Sequence, residues 1–375
     1  MGSYLVIMLC ACLVTAATTP LVRRLANDRQ WVAVPDERKV HKVPMPDVGG
    51  IAMFVGVVVS LFVAWRMGQF THLFVGNSEP AGVVIGAFII LCFGVRDDIK
   101  EISAPARVIG TVLSALVLVY FGVTMFYFRL PFIDVFQVSN DWTPIVTVVW
   151  LLMMTQAINL IDGLDGLAAG IVAIASGTFF IYSQHLAHLG LLSEPNLGPL
   201  IAAITVGVCV GFLPFNFNPA SIFMGDGGAY LLGFLLAVST SVVGGRADPA
   251  TQAFSGQTYF FLAPLFIPIM ILGVPIFDVV FAIIRRVSRG EDFSKADRGH
   301  LHHRLINLGH GPRRAVVILW GWTILLSGFV MFPVFRPSTS RSLAVFGIIA
   351  IVLVLYTMLH PDLHWRNGKS DESEN

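Results

Sequence analysis

Long apolar runs separated by short polar segments set the pattern of this chain. Eleven of them come near the roughly 20 residues that a membrane-crossing helix requires: 3–22, 49–67, 81–95, 105–123, 144–160, 167–186, 197–213, 226–243, 259–284, 314–334 and 341–360. The pattern predicts an all-α polytopic membrane protein of about eleven transmembrane helices, with one integral membrane domain over 1–360. The polar stretch 361–375 reads as a disordered tail. Segment 124–143 alternates enough to form a small hairpin at the membrane surface, whereas 187–196 and 244–258 read as plain connectors. Pro264, Pro268, Gly273 and Pro275 predict a kinked ninth helix that opens a groove to lipid. The chain shows no internal repeat, which weighs against an inverted-repeat transporter.

Composition sharpens this picture. Of 375 residues, 55% are hydrophobic and only 13% charged, which excludes an ordinary soluble domain. Cys10, Cys12, Cys92 and Cys209 lie in apolar runs without redox or zinc-finger spacing, so they read as packing residues. The first run has Arg23 and Arg24 after it and no basic segment before it, so it predicts a retained first helix, not a cleaved signal. Counting Arg107 and Arg314 at the mouths of two runs, nineteen of the 24 Lys and Arg fall on one side. The other five are Arg66, Arg129, Arg246, Arg336 and Arg341. The positive-inside rule then places the N-terminus outside and the C-terminus in the cytoplasm, in an inner (plasma) membrane.

Five carboxylates fall on the predicted cytoplasmic side: Asp97, Asp98, Asp162, Asp165 and Asp226. Ionisable groups at membrane depth are expensive and usually face a site, a cavity or one another. Adjacent Asp97 and Asp98 end the third run and must point in different directions on a helix, so separate tasks are expected of them. In Asn159-Leu-Ile-Asp162-Gly-Leu-Asp165-Gly the polar groups recur every three residues, with glycines permitting close approach. Such oxygen donors suit Mg2+, which shares its coordination between a few protein groups and substrate phosphates. Asp226 opens the eighth run between glycines, where it reads either as a helix cap or as a metal ligand. The loop Asp297-Arg298-Gly-His300-Leu-His302-His303-Arg304 is too tightly spaced for tetrahedral zinc and suits pyrophosphate and sugar hydroxyls better. The proline- and glycine-rich segment 35–50, carrying Arg38, Lys39, His41 and Lys42, reads as a basic lid or a topogenic charge cluster. Asp278, within the ninth run, is expected to pair with another buried polar group.

On these residues the chain resembles the polyprenyl-phosphate N-acetylhexosamine-1-phosphate transferase superfamily. The resemblance rests on Asp97-Asp98, the run 159–166, Asn216 with Phe223-Met-Gly225-Asp226, and the histidine loop 300–303, in that order along nearly the whole chain. The His-x-His-His form of the loop resembles the branch that uses UDP-N-acetylglucosamine (UDP-GlcNAc). The resemblance implies transfer of GlcNAc-1-phosphate from UDP-GlcNAc to undecaprenyl or decaprenyl phosphate, with release of UMP, at a cytoplasmic-face site. It further implies Mg2+, or Mn2+, held by Asp226 with Asn159. Asp97 would act as base or orienter towards the lipid phosphate, with Asp98 in support and Asp162 beside them in the catalytic group. Lys42 and Asp165 would contact uridine. Asn216, His300, His302, His303 and Arg304 would bind sugar or pyrophosphate, and Arg107 is similar to a basic phosphate-binding position in eukaryotic relatives. Expected partners are the two substrates and the bilayer, with room for a homodimer and no nucleic acid.

Two other readings compete. The phospho-MurNAc-pentapeptide transferase of peptidoglycan synthesis has similar motifs but usually differs in the histidine loop. An ion-coupled transporter would instead distribute its acids through the bilayer midplane.

Overall fold

The computed structural model describes residues 2–33, 44–125, 127–129, 135–137, 139–190, 192, 195–244, 311–335 and 340–358. Along the chain run α1 (Gly2–Arg29), β1 (Val32–Ala33), β2 (Met45–Pro46), α2 (Gly50–Arg66), a 3₁₀ turn at Gly68–Phe70, α3 (Thr71–Phe74), α4 (Glu79–Ile99) and α5 (Ala104–Tyr120). Then follow β3 (Tyr127–Arg129), β4 (Val135–Gln137), α6 (Thr143–Ile161), α7 (Leu167–His188), α8 (Gly198–Asn216) and α9 (Gly225–Gly244). Helices α10 (Pro312–Phe335) and α11 (Ser340–Met358) complete the described chain. Ten of the eleven expected runs fall on helices, and the run 259–284, with its prolines and Asp278, lies outside the described residues. Among the described residues five helices are long and apolar enough to cross a membrane, or six if α2 and the sharply bent segment after it form one span. The expected hairpin is present: β3 pairs antiparallel with β4, Phe128 opposite Phe136.

Burial separates the helices into an inner and an outer set. Within its most apolar stretch α9 is 94% buried, whereas α1 is only 28% buried. Helix α9 is therefore the central strut, packed by α2, α4, α6 and α8. Leu5, Leu9, Leu13 and Leu21 of α1 stay exposed, as a lipid-facing surface requires.

Lipid gives no hydrophobic drive for helix association, so close backbone packing through small residues must supply it. In α8, Gly207 and Gly211 sit four residues apart against α1, where an added Cβ would lie 2.2 Å from the Met8 carbonyl and 2.3 Å from that of Cys12. Helix α4 meets α9 in the same way: a Cβ on Gly94 would lie 2.4 Å from the Cα of Gly227. Buried polar groups join the same helices, with Trp150 donating from α6 to the Thr240 hydroxyl of α9 at 2.9 Å.

Candidate active site

The chemistry-bearing residues gather at one end of the bundle because four loops are tied together there. Helices α4, α6 and α8 end at this level, and α2, α5, α7 and α9 begin at it. The segment before α2 pairs by backbone with the α8–α9 loop: Phe223 N–H donates to Pro46 O (2.9 Å), Gly49 to Phe223 O (3.0 Å) and Gly50 to Met224 O (2.9 Å). The α6–α7 turn is joined to the same loop through two side chains. Buried Asn216 accepts from Gly166 N–H (3.0 Å) and donates to Ile222 O (3.1 Å). Asp165 accepts from the Asn218 amide (2.9 Å) and the Ala220 N–H (3.0 Å) on the same Oδ2.

Asp97 and Asp98 do face different ways, as the helix geometry requires. Asp97 meets Arg107 of α5 in a two-point contact, Nε to Oδ2 at 2.6 Å and Nη2 to Oδ1 at 3.1 Å, and also accepts from Ile102 N–H. The Nη2–H to Oδ1 contact is a hydrogen bond and the Nε to Oδ2 approach an ion pair, and together they hold the two groups side by side. Asp98 instead reaches across to the start of α9, where it accepts from Asp226 N–H (2.6 Å) and Gly227 N–H (3.1 Å). A side chain of α4 thus caps α9, satisfying two of the amides a helix start leaves open. Gly225 makes the cap possible. Its φ is +69°, and a Cβ there would lie 2.5 Å from both Asp47 O and Asp98 Oδ2.

Asp226 comes next to this pair, with its carboxyl in hydrogen-bonding reach of that of Asp97 and with Arg107 and Asp47 also acting on it. Asp162, at the C-terminal end of α6, lies among Asp47, Asp226 and Asp165. Part of that residue's surface stays exposed, but its carboxyl faces inward; burial and those three charges push it well above the usual carboxylate range. Asp98, beyond the apolar run of α4, is pushed up to about 9, by burial first and then by Asp47 and Asp226, while the two N–H bonds pull the other way. The geometry of Asp98 is that of an ionised cap; its acidic neighbours oppose ionisation.

That conflict bears on a cation. Hard carboxylate oxygens in excess, with Arg107 the guanidinium acting on Asp226 among them, are a donor set that suits Mg2+ and would be neutralised by it. Among the described residues no three acidic, histidine or cysteine side chains converge into a ready-made cage. Mg2+ does not require one, since it keeps waters and takes one or two carboxylates together with substrate phosphates. Asp226 meets this description, with Asp162 adding charge beside it, and Asn159 lies in the last turn of α6, three residues before Asp162.

Of the expected site residues, Asp97, Asp98, Arg107, Asp162, Asp165, Asn216 and Asp226 come together here. Lys42, His300, His302, His303 and Arg304 lie outside the described residues. One acid escaped the sequence reading: Asp47, which acts on Asp98, Asp162 and Asp226 alike. Its signal was present in Asp47-Val-Gly49-Gly50, an aspartate set before paired glycines as in Asp226-Gly227-Gly228.

Comparison with known proteins agrees with this arrangement. Residues 80–244 match the pattern of glycosyl transferase family 4. The chain is 33% identical over 353 residues to a decaprenyl-phosphate N-acetylglucosaminephosphotransferase of Mycobacterium leprae, covering 92% of this chain and 87% of the relative. It is 35% identical over 316 residues to a Bacillus subtilis protein named "Probable undecaprenyl-phosphate N-acetylglucosaminyl 1-phosphate transferase", covering 84% and 80%. A phospho-N-acetylmuramoyl-pentapeptide-transferase of Chlorobaculum tepidum is more distant, at 27% over 318 residues. With motifs, geometry and full-length relatives in agreement, the chain belongs to glycosyl transferase family 4, among its polyprenyl-phosphate N-acetylglucosamine-1-phosphate transferases.

Proposed function

We propose that this membrane enzyme transfers GlcNAc-1-phosphate from UDP-GlcNAc to a polyprenyl phosphate of the undecaprenyl or decaprenyl type, releasing UMP. The observation that carries the reading is the knot of four loops, which brings an acidic cluster and one forked arginine to a single end of a lipid-exposed bundle. That end faces the cytoplasm by the charge bias of the sequence, with eleven spans and the N-terminus outside. The more distant muramoyl-pentapeptide relative supports the same fold with a different donor.

In this reaction an oxygen of the lipid phosphate attacks the β-phosphorus of UDP-GlcNAc. A new P–O bond forms, the bond to the bridging oxygen breaks, and UMP leaves with that oxygen. Asp226 with Asn159 would hold Mg2+, which when bound neutralises the pyrophosphate and the leaving phosphate. A phosphate monoester is largely a dianion at pH 7, its second pKa being about 6, so little base catalysis is needed. Asp97 then serves chiefly by position: it fixes Arg107, whose guanidinium stands ready for phosphate oxygens. Asp98 acts through α9, setting the height of Asp226. Asp162 adds negative charge to the cation's surroundings, while Asn216 and Asp165 keep the two loops in register. Lys42 and the loop of His300, His302, His303 and Arg304 complete the donor's binding groups.

The test is UMP release by detergent-purified protein in Mg2+, with and without polyprenyl phosphate, offered UDP-GlcNAc or UDP-MurNAc-pentapeptide. Lipid-dependent UMP from UDP-GlcNAc alone is expected. Turnover of the pentapeptide donor alone would move the enzyme to peptidoglycan synthesis, and no UMP from either would end the proposal.

A further inference from the structure

Tyr230 belongs to none of the motifs above, yet its surroundings are those of a ligand-binding group. It lies four residues after Asp226 in α9, on the same helix face and about 6 Å further from the helix start at 1.5 Å per residue. The residue is 2% exposed and its phenol oxygen is buried, within hydrogen-bonding reach of Gln156 of α6 as a donor, while the phenol's own proton has no acceptor among the described residues. The charges that reach that oxygen are Asp226, Arg107 and Asp97. Arg107 in turn feels Tyr230. A buried polar group left unsatisfied costs about 1–3 kcal/mol, a cost the unaccepted O–H proton shares in and phenylalanine would avoid. A buried O–H whose proton finds no acceptor among the described residues, set among the groups that face phosphate, points to a ligand atom as its acceptor.

Depth decides between the two phosphates of the reaction. The nucleotide donor arrives from water at the loop end of the bundle. Tyr230 lies on the far side of Asp226 from those loops, towards the bilayer, where the phosphate of a membrane-bound acceptor enters. We propose that the Tyr230 hydroxyl donates a hydrogen bond to a phosphate oxygen of the polyprenyl acceptor, beside Arg107, and so fixes the depth at which that phosphate stands for attack.

This inference rests on the transferase reading, and the experiment separates the two. Initial rates of UMP release are measured for wild type and Tyr230→Phe while UDP-GlcNAc, polyprenyl phosphate and Mg2+ are varied in turn. If wild type fails to turn over, the transferase reading fails. If wild type is active, Tyr230→Phe is expected to raise the KM for polyprenyl phosphate about tenfold, with the KM for UDP-GlcNAc and the Mg2+ requirement unchanged. Because phenylalanine keeps the ring, its melting temperature in detergent should stay close to that of wild type, the lost Gln156 contact being set against removal of a buried hydroxyl. Kinetics equal to wild type would show the phenol to be packing and overturn the proposal. A change confined to the UDP-GlcNAc KM, or to the Mg2+ requirement, would assign the hydroxyl to the donor or to Asp226 and overturn it equally.

Discussion

Gly225→Ala puts the strongest demand on the proposed frame of the site. At φ +69° an L-residue costs about 1–2 kcal/mol from its own backbone. The added methyl would also stand 2.5 Å from Asp47 O and from Asp98 Oδ2, about 0.5 Å inside the 3.0 Å that real Cβ contacts keep. One of those neighbours is backbone, held where Phe223 N–H meets Pro46 O, and the other is the carboxylate that caps α9. Neither can retreat without moving Asp226. Misplacement of the order of 1 Å costs about a hundredfold in rate, so UMP release should fall by about 30- to 100-fold. Gly76→Ala is the matched control. Its φ is +71° but nothing lies within 4 Å of its Cβ, so it carries the backbone cost alone and should leave the kinetics intact. Rates and melting temperatures of the two variants, measured side by side in detergent, decide the matter. A Gly225→Ala enzyme within threefold of wild type would refute the claim that Asp98 sets the position of Asp226.

Three further expectations follow from the same geometry. Arg107→Lys replaces a fork with a point charge and gives up the two-point contact with Asp97, so UMP release should fall at least about tenfold, chiefly through the KM for a phosphate substrate. Asn216→Ala strands Gly166 N–H and Ile222 O; at about 1–3 kcal/mol for each buried group, a marked drop in melting temperature is expected along with lower activity. Asp47→Asn removes a negative charge that acts on three other carboxyls, so the metal-free protein should melt higher while the Mg2+ concentration for half-maximal activity rises several-fold.

Much of this was legible in the sequence for definite reasons. Apolar run length marks helices whatever their partners, and the described runs became helices almost residue for residue, as with 167–186 and Leu167–His188. The split duties of Asp97 and Asp98 followed from the angle between successive helical residues. What stayed hidden depends on contacts distant in the chain. Asp47 acquires its place only when residues 46–50 pair with 223–224. Asn216 and Asp165 read as substrate contacts, and their role in tying two loops together could not be seen, because a buried polar side chain that joins loops has the same sequence signature as one that binds a ligand. Tyr230 vanished into an apolar run, where only the helix turn relating it to Asp226 distinguishes it.

The central claim is attack at the β-phosphorus of UDP-GlcNAc with UMP as the leaving group. Donor labelled with ³²P in its β-phosphate, incubated with the purified enzyme, Mg2+ and polyprenyl phosphate, tests it directly. The account predicts that the label passes to the lipid, mole for mole with unlabelled UMP, and that Asp226→Ala abolishes the transfer. Label retained in UDP, with only the sugar moved to the lipid, would contradict it.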